Sequence, residues 1–245
     1  MAELPKCVNN ALNQRHQSGV MTHMPFLTEE VLWFCQAEPS GRNRLWKIHF
    51  QLPDGSIHRL ATGLPADAIE CAPTSWHDAQ GWHISYVAGG MQSNRRWWLY
   101  RADVAHLTDA LDPIAVLPSM AGFLYRDRLV YAEKENIIHV RQPANNFDID
   151  MPGSQINRVS YRADDTDALL ISAVANLDDL FTLEYNLRTG QQHLLECDGQ
   201  PAYKCTILGD RILYANRHGD GFEDRHIMEA ATVVRRPTTL MQRVQ

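Results

Sequence analysis

Residues 128–162 have the sequence RLVYAEKENIIHVRQPANNFDIDMPGSQINRVSYR, and their pattern indicates the fold. The stretch contains four runs rich in Val, Ile, Leu and Tyr, separated by short polar connections. The runs are RLVYAEK, NIIHVRQ, NFDIDMP and INRVSYR. Short apolar runs bounded by Gly, Pro, Asn and Asp are typical of β-strands, and connections this short join antiparallel neighbours. The stretch therefore predicts a small antiparallel meander.

The same order of runs recurs along the chain. Counterparts of the first run are followed at each recurrence by counterparts of the other three. First runs begin at Val31, His83, Arg128, Ala168 and Arg211; second runs at Arg44, Arg96, Asn136, Leu180 and Asp224; third runs at Ser56, Pro113, Asn146, Gln192 and Thr232; and fourth runs at Ala68, Ala121, Ile156 and Ala202. A fifth copy of the fourth run is expected near Val20 to Phe26. The first runs begin 40 to 52 residues apart, which is the length of a four-stranded propeller repeat.

The recurrence resembles an all-β fold, a five-bladed β-propeller of four-stranded antiparallel meanders over residues 18–240. Neither the GH…WD signature of WD40 repeats nor a kelch double-glycine motif occurs, so the resemblance implies an architecture and no site residues. We expect one domain over residues 1–245. Residues 1–17 either add a closing strand to the last blade, or the first and last blades meet only through side chains. A β-sandwich with a small appended domain is the alternative fold.

One segment departs from the repeat. RADVAHLTDALDP, residues 101–113, separates the second and third runs of the second unit and has Val104, Leu107 and Leu111 at helical spacing. Asp103 stands at an N-cap position and Pro113 follows the end. The pattern predicts a short surface helix inserted in blade 2.

Composition and charge exclude several classes of protein. The chain has 29 acidic and 23 basic residues, for a net charge of −6, and its basic residues are scattered, so we expect no nucleic-acid partner. No apolar run approaches the 18 or so residues of a membrane span, and the first 20 residues lack the apolar core of a signal peptide. The five cysteines contain no CxxC pair, which favours reduced thiols. We therefore expect a cytoplasmic protein, or a virion component if the source is a phage, with no membrane partner and no cofactor.

Acidic residues next to the strand runs are the candidates for catalysis. Some five-bladed propellers are glycoside-processing enzymes whose carboxylates project from the innermost strands, and glycoside hydrolysis requires one protonated and one ionised carboxyl group. The candidates here are Asp67, Glu70, Asp150 and Asp198. Asp198 is equally a natural turn residue.

The connection NRHGDGFEDRH, residues 216–226, gathers nitrogen and oxygen donors that a borderline metal such as zinc would accept. The weak metal candidates are His218, Asp220, Glu223 and His226. Their spacing matches no ligand motif, and Gly219 and Gly221 are typical of turns, so a solvated loop is the preferred interpretation and no metal is predicted.

Aromatic residues point more directly to recognition. Trp76, His77 and Trp82 lie close together in WHDAQGWH, and Trp76 falls in the connection 73–81, which we expect to be a surface loop. An exposed indole there could stack on a sugar or a peptide. These three residues are the predicted ligand-binding residues.

The complete repeats without a catalytic signature favour a non-enzymatic interaction or structural module. It would present loops and a channel to a protein or glycan partner, as part of a phage or bacterial assembly. The alternative is a glycosidase-like propeller that uses the inner-strand carboxylates. The oligomeric state stays open.

Overall fold

The computed structural model describes residues 6–18, 20–39, 42–49, 56–90, 96–107, 112–133, 136–175, 179–217, 225–239 and 242–244. They form five small antiparallel sheets arranged in a ring, so the predicted five-bladed β-propeller is confirmed. No helix in the described part of the chain is both long and apolar enough to cross a bilayer.

Each blade is a meander of consecutive strands. Blade 1 contains β1 (Thr22–Leu27), β2 (Val31–Ala37), β3 (Asn43–His49) and β4 (Ile57–Arg59). Blade 2 contains β5 (Ala68–Asp78), β6 (Gly81–Gly90), β7 (Trp97–Asp103) and β8 (Ala115–Leu117). Blade 3 contains β9 (Gly122–Tyr125), β10 (Arg128–Glu133), β11 (Ile137–Arg141) and β12 (Phe147–Asp150). Blade 4 contains β13 (Ser154–Tyr161), β14 (Ala168–Ala175), β15 (Asp179–Asn186), β16 (Gln192–Cys197) and β17 (Gln200–Pro201). Blade 5 contains β18 (Thr206–Leu208), β19 (Arg211–Arg217) and β20 (Arg225–Glu229).

The fourth run of each set opens the next blade. Val159 in β13, for example, is paired with Ile171 in β14, so the run INRVSYR is the first strand of blade 4. The expected fifth copy is confirmed as β1, which pairs with β2. The first strands β1, β5, β9 and β13 contact one another across blades, and β1 also contacts β18. They therefore form the inner wall of the ring.

The last predicted strand of blade 5 is placed differently. β21 (Val233–Pro237) is paired with β16 on the outer side of blade 4, Arg235 opposite Leu195, so its assignment to the fifth unit is wrong. β22 (Gln242–Val244) is paired with β12 of blade 3. Within the residues described, blade 5 has three strands.

The N-terminal segment is helical. α1 (Lys6–Gln17) replaces the closing strand considered for residues 1–17. Its buried Val8 and Leu12, one turn apart, pack in one cluster with Leu213 and Ile227 of blade 5 and Phe34 of blade 1. The helix therefore covers the junction between the first and last blades.

Side-chain hydrogen bonds connect the same two blades. The Leu27 amide donates to Thr206 Oγ1 at 3.0 Å, and the Ile227 amide donates to Thr22 Oγ1 at 3.2 Å. Within the described residues, blades 1 and 5 meet through these hydrogen bonds and through the packing of α1, and no strand from residues 6–17 pairs with blade 5.

The helical insertion in blade 2 is a single turn within the described residues. Only Val104–His106 form a helix, a single 3₁₀ turn, and residues 108–111 lie outside the description. Asp103 makes no capping hydrogen bond; instead its Oδ1 lies 2.6 Å from His83 Nδ1. Asp103 therefore occupies the predicted N-cap position, but its carboxylate contacts His83 of the neighbouring strand and does not cap the helix.

Four cysteines, Cys35, Cys71, Cys197 and Cys205, are buried and free, as the spacing indicated; the Cys7 side chain lies outside the description. Burial raises the pKa of both the Cys35 and the Cys205 thiol to about 12. Because the thiolate is the reactive form, these side chains act as small apolar residues of the core.

Candidate functional site

A cavity of about 280 Å³ lies where the inner strands end. Each of the five blades contributes a residue from the C-terminal end of its first strand, within two residues of the strand's last position. These residues are Thr28, Trp76, Tyr125, Tyr161 and Leu208. The ring geometry, rather than any single segment, therefore assembles the cavity.

Aromatic rings form most of its apolar wall. The ring centroids of Tyr125 and Tyr161 are 4.2 Å apart, and those of Trp76 and Tyr125 are 5.8 Å apart in an edge-to-face contact. The Tyr161 hydroxyl donates to the Ser75 carbonyl, which fixes this ring against blade 2. Trp82 and the exposed His77 pack together at 5.2 Å and also line the cavity.

His83 supports Trp76 from the adjacent strand. The two rings are nearly parallel, with centroids 5.3 Å apart. His83 Nε2 lies 2.9 Å from Asp78 Oδ1, and its Nδ1 lies 2.6 Å from Asp103 Oδ1. The hydrogen bond to His83 lowers the pKa of Asp78. Because both ring nitrogens are held, the imidazole has one orientation, and it fixes the indole that stacks on it.

Carboxylates provide the polar part of the lining. Glu29, Glu30 and Asp164 border the cavity. Glu29 and Glu30 lie in a turn that Thr28 closes, since its hydroxyl donates to the Val31 carbonyl at 2.9 Å. No Lys or Arg is among the described lining residues.

Asp164 also organises the rim. Its Oδ2 accepts hydrogen bonds from Arg162 Nη2 at 2.7 Å and from the Gly209 amide at 2.6 Å. Burial alone would raise the pKa of Asp164, but these hydrogen bonds lower it below the ordinary value of 3.8. An ionised Asp164 therefore joins the β13–β14 turn to the β18–β19 turn.

Lowering the pH from 7 to 3 is expected to decrease the free energy of unfolding of the wild-type protein. The decrease is expected to be smaller in the Asp164→Asn variant. Because the folded-state pKa of Asp164 is lowered, its stabilisation is complete above the unfolded pKa and is lost as the pH falls through the folded pKa, below 3.8. Urea midpoints at both pH values measure this, with the exposed Asp127→Asn as the matched control. An Asp164→Asn midpoint with the pH dependence of the wild-type protein would contradict the role of Asp164.

The structure does not bring the four predicted carboxylates together. Glu70, on β5, is 1% exposed and accepts hydrogen bonds from Arg44 Nη1 at 3.1 Å, the Leu45 amide at 3.0 Å and the Thr62 hydroxyl. Asp67 is exposed in the turn before β5. Glu70 therefore joins blades 1 and 2, and neither residue borders the cavity.

The other two carboxylates lie in different blades, Asp150 on an outer strand of blade 3 and Asp198 in the turn between β16 and β17 of blade 4. Asp150 ends β12 and accepts a long hydrogen bond, 3.4 Å, from Asn136. Asp198 Oδ1 accepts hydrogen bonds from the Ala231 and Thr232 amides, and its Oδ2 accepts one from the Tyr214 hydroxyl. Asp198 thus anchors the segment that leads into β21.

Of the weak metal candidates, only His226 lies within the described residues; His218, Asp220 and Glu223 lie outside them. His226 is buried in β20 and contacts the His16 ring of α1. Within the described part of the chain, no group of three His, Cys, Asp or Glu side chains could hold a metal ion.

The structure brings the three predicted ligand-binding residues, Trp76, His77 and Trp82, into one cavity lining. Trp76 is not in a loop, however: β5 runs to Asp78, and Trp76 is only 4% exposed. Tyr125 and Tyr161, which also line the cavity, were not among the residues predicted from the sequence. The sequence does contain a signal for these two residues. The triplets WHD (76–78), YRD (125–127) and YRA (161–163) lie at the ends of the fourth runs or just after them, and each begins with an aromatic residue.

No family model matches the chain, and no curated protein matches it. The chain is similar to a prolyl endopeptidase structure with 12% identity and a TM-score of 0.45, over 93% of this chain and 42% of that one. TolB from Acinetobacter baumannii is similar with 13% identity and a TM-score of 0.45, over 89% and 56% of the two chains. For an α-L-arabinofuranosidase from Lactobacillus brevis, the identity is 11%, the TM-score 0.43 and the coverage 90% and 91%. The chain thus spans less than two thirds of the first two structures, and these likenesses concern the fold alone.

Proposed function

We propose that the protein is a non-enzymatic binding module that holds a glycan in the cavity at the ends of its inner strands. The observation that carries this proposal is the set of aromatic side chains that three different strands direct to one place. Trp76, Tyr125 and Tyr161 come from blades 2, 3 and 4, and Trp82 adds a second indole.

The chemistry of the lining suits a sugar ring. One face of a pyranose or furanose carries C–H groups that pack on an aromatic ring, while its hydroxyls donate hydrogen bonds to carboxylate oxygens. The cavity offers both partners, since Glu29, Glu30 and Asp164 border the aromatic wall. Its 280 Å³ is near the lower limit of small-molecule pockets, roughly 300 Å³, which favours one sugar unit.

Binding is favoured over glycoside hydrolysis by the positions of the four predicted carboxylates and by the hydrogen bonds that Asp164 accepts. Hydrolysis needs a protonated acid beside an ionised carboxylate. None of Asp67, Glu70, Asp150 and Asp198 borders the cavity, and the lowered pKa of Asp164 keeps it ionised at neutral pH. Asp164 is thus suited to accept hydrogen bonds and unsuited to act as a general acid.

Affinity electrophoresis tests the proposal. The purified protein is run through native gels that contain arabinan, xylan, β-glucan, glycol chitin or polygalacturonate, and at least one is expected to retard it. Tyr125→Ala is expected to weaken binding about tenfold or more, a loss of about 1.4 kcal/mol. The substitution removes one of the two tyrosine rings that pack together in the cavity wall, and with it the surface on which a sugar would stack.

The matched control is Tyr131→Ala. Tyr131 is a half-buried tyrosine of the same blade that packs on His139, away from the cavity lining. Retardation by none of the five polysaccharides, or equal retardation of Tyr125→Ala and the wild-type protein, would contradict glycan binding in this cavity. Release of reducing ends from the retarding polysaccharide would favour the glycosidase alternative instead.

A further inference from the structure

A second, larger space continues from the cavity. A groove of about 990 Å³ lies between α1 and blade 5. Glu29 and Leu208 border both this groove and the aromatic cavity. The two spaces are therefore neighbours on one face of the propeller, and one ligand can occupy both.

The wall between them is held in place by hydrogen bonds. The Gly209 amide donates to Asp164 Oδ2, which fixes the turn that contains Asp210, a residue of the groove. On the far side, Arg211 Nε and Glu229 Oε1 form an ion pair at 3.1 Å. The passage from cavity to groove thus has a defined shape without a ligand.

The groove has the side chains that bind hydroxyl groups. Asn9 and Asn13 line it from α1, and their spacing of four residues places them on one face of the helix. A side-chain amide offers both donors and an acceptor, which suits a sugar hydroxyl. Leu12 and Ile227, each 5% exposed, supply an apolar floor.

The charges along this path are mostly negative. The described lining of the two spaces contains five carboxylates and one guanidinium. They are Glu29, Glu30, Asp164, Asp210, Glu229 and Arg211. Arg162 offsets the charge of Asp164 and Arg211 that of Glu229, and the three further carboxylates leave the path negative. Like charges repel, so the path disfavours a chain of uronic acids and accepts a neutral or amino sugar chain.

We infer that the ligand is an extended, neutral or amino oligosaccharide, with one unit in the aromatic cavity and the following units in the α1 groove. This inference rests on the proposed function, since it extends the same site. It assigns α1 a role in ligand length selection in addition to its packing against blade 5.

The test compares short and long ligands. Isothermal titration is done with disaccharides and hexasaccharides of the xylo, cello, arabino or chito series, whichever corresponds to the retarding polysaccharide. The hexasaccharide is expected to bind at least about tenfold more tightly than the disaccharide, because the added units contact the groove. In Asn9→Ala/Asn13→Ala the ratio of the two affinities is expected to fall below about threefold.

The same helix provides the control. Asn10→Ala/Gln14→Ala has the same chemistry and spacing on an exposed face outside the groove lining, and is expected to keep the wild-type ratio. Alanine favours helices, so neither pair of substitutions disturbs α1. Equal affinity of the two ligands, equal ratios in both variants, or tight binding of polygalacturonate would overturn the inference while glycan binding stands. Absence of binding to any glycan would refute the proposed function itself.

Discussion

Replacing Arg158 with alanine is expected to lower the free energy of unfolding by about 3 to 5 kcal/mol. The Arg158 side chain is 1% exposed, and burial lowers its pKa to about 10, so it is charged at neutral pH. From β13 it reaches two other blades: Nη1 donates to the Lys204 carbonyl at 3.0 Å and Nη2 to the Pro25 carbonyl at 2.5 Å. Its loss leaves two buried carbonyls without these donors and a void between blades.

Urea denaturation at pH 7 measures this effect. Arg158→Lys keeps the charge but has one donor atom instead of a planar fork, so an intermediate loss of about 1 to 3 kcal/mol is expected, which stays measurable if the alanine variant does not fold. The control is Arg188→Ala, whose side chain is 79% exposed and pairs with Asp167; it should change stability by less than about 1 kcal/mol. Similar midpoints for the Arg158 variants and Arg188→Ala would contradict the central role of Arg158.

Glu70→Ala is expected to have an effect of similar size, about 3 to 5 kcal/mol. The substitution leaves the buried Arg44 guanidinium without its counterion and removes the acceptor of the Leu45 amide. An uncompensated buried charge is among the most destabilising changes in a protein interior.

Glu196→Ala is the matched control for Glu70. Glu196 also pairs with an arginine, but its side chain is 21% exposed and that of Arg236 is 63% exposed, so the pair contributes at most about 1 kcal/mol. If both variants lost the same stability, or if Glu70→Ala lost none, the carboxylate would not be the junction between blades 1 and 2 that its contacts indicate.

The blades could be predicted from the sequence because strand pattern and spacing are local properties. The pairing of β21 could not, because Val233–Pro237 is a mostly exposed strand whose sequence does not specify a partner, and which outer edge lies next to it depends on the ring. α1 could not be predicted either, because its buried side has few apolar residues, among them Val8 and Leu12. Contacts with blades 1 and 5, rather than its own periodicity, stabilise it.

The candidate site was predictable in part. Trp76, His77 and Trp82 were found from their clustering, but Pro73 suggested a loop where the chain instead forms a bulged strand, with Ala72 at φ 50°. Glu70 looked like a channel carboxylate because a sequence does not show that Arg44, 26 residues earlier, faces it across the junction of blades 1 and 2. The strand ends at Tyr125 and Tyr161 were recognisable only once the fourth runs were aligned at their termini.

If a glycan binds in the aromatic cavity, the indole N–H signals of the six tryptophans will report its position. In ¹H–¹⁵N spectra recorded during titration with the retarding oligosaccharide, we expect the signals of Trp76 and Trp82 to move with a common dissociation constant. Trp97 and Trp98, at the other end of blade 2, are expected to stay unchanged. Shifts confined to Trp97 and Trp98, or none at Trp76 and Trp82 at saturation, would contradict the account.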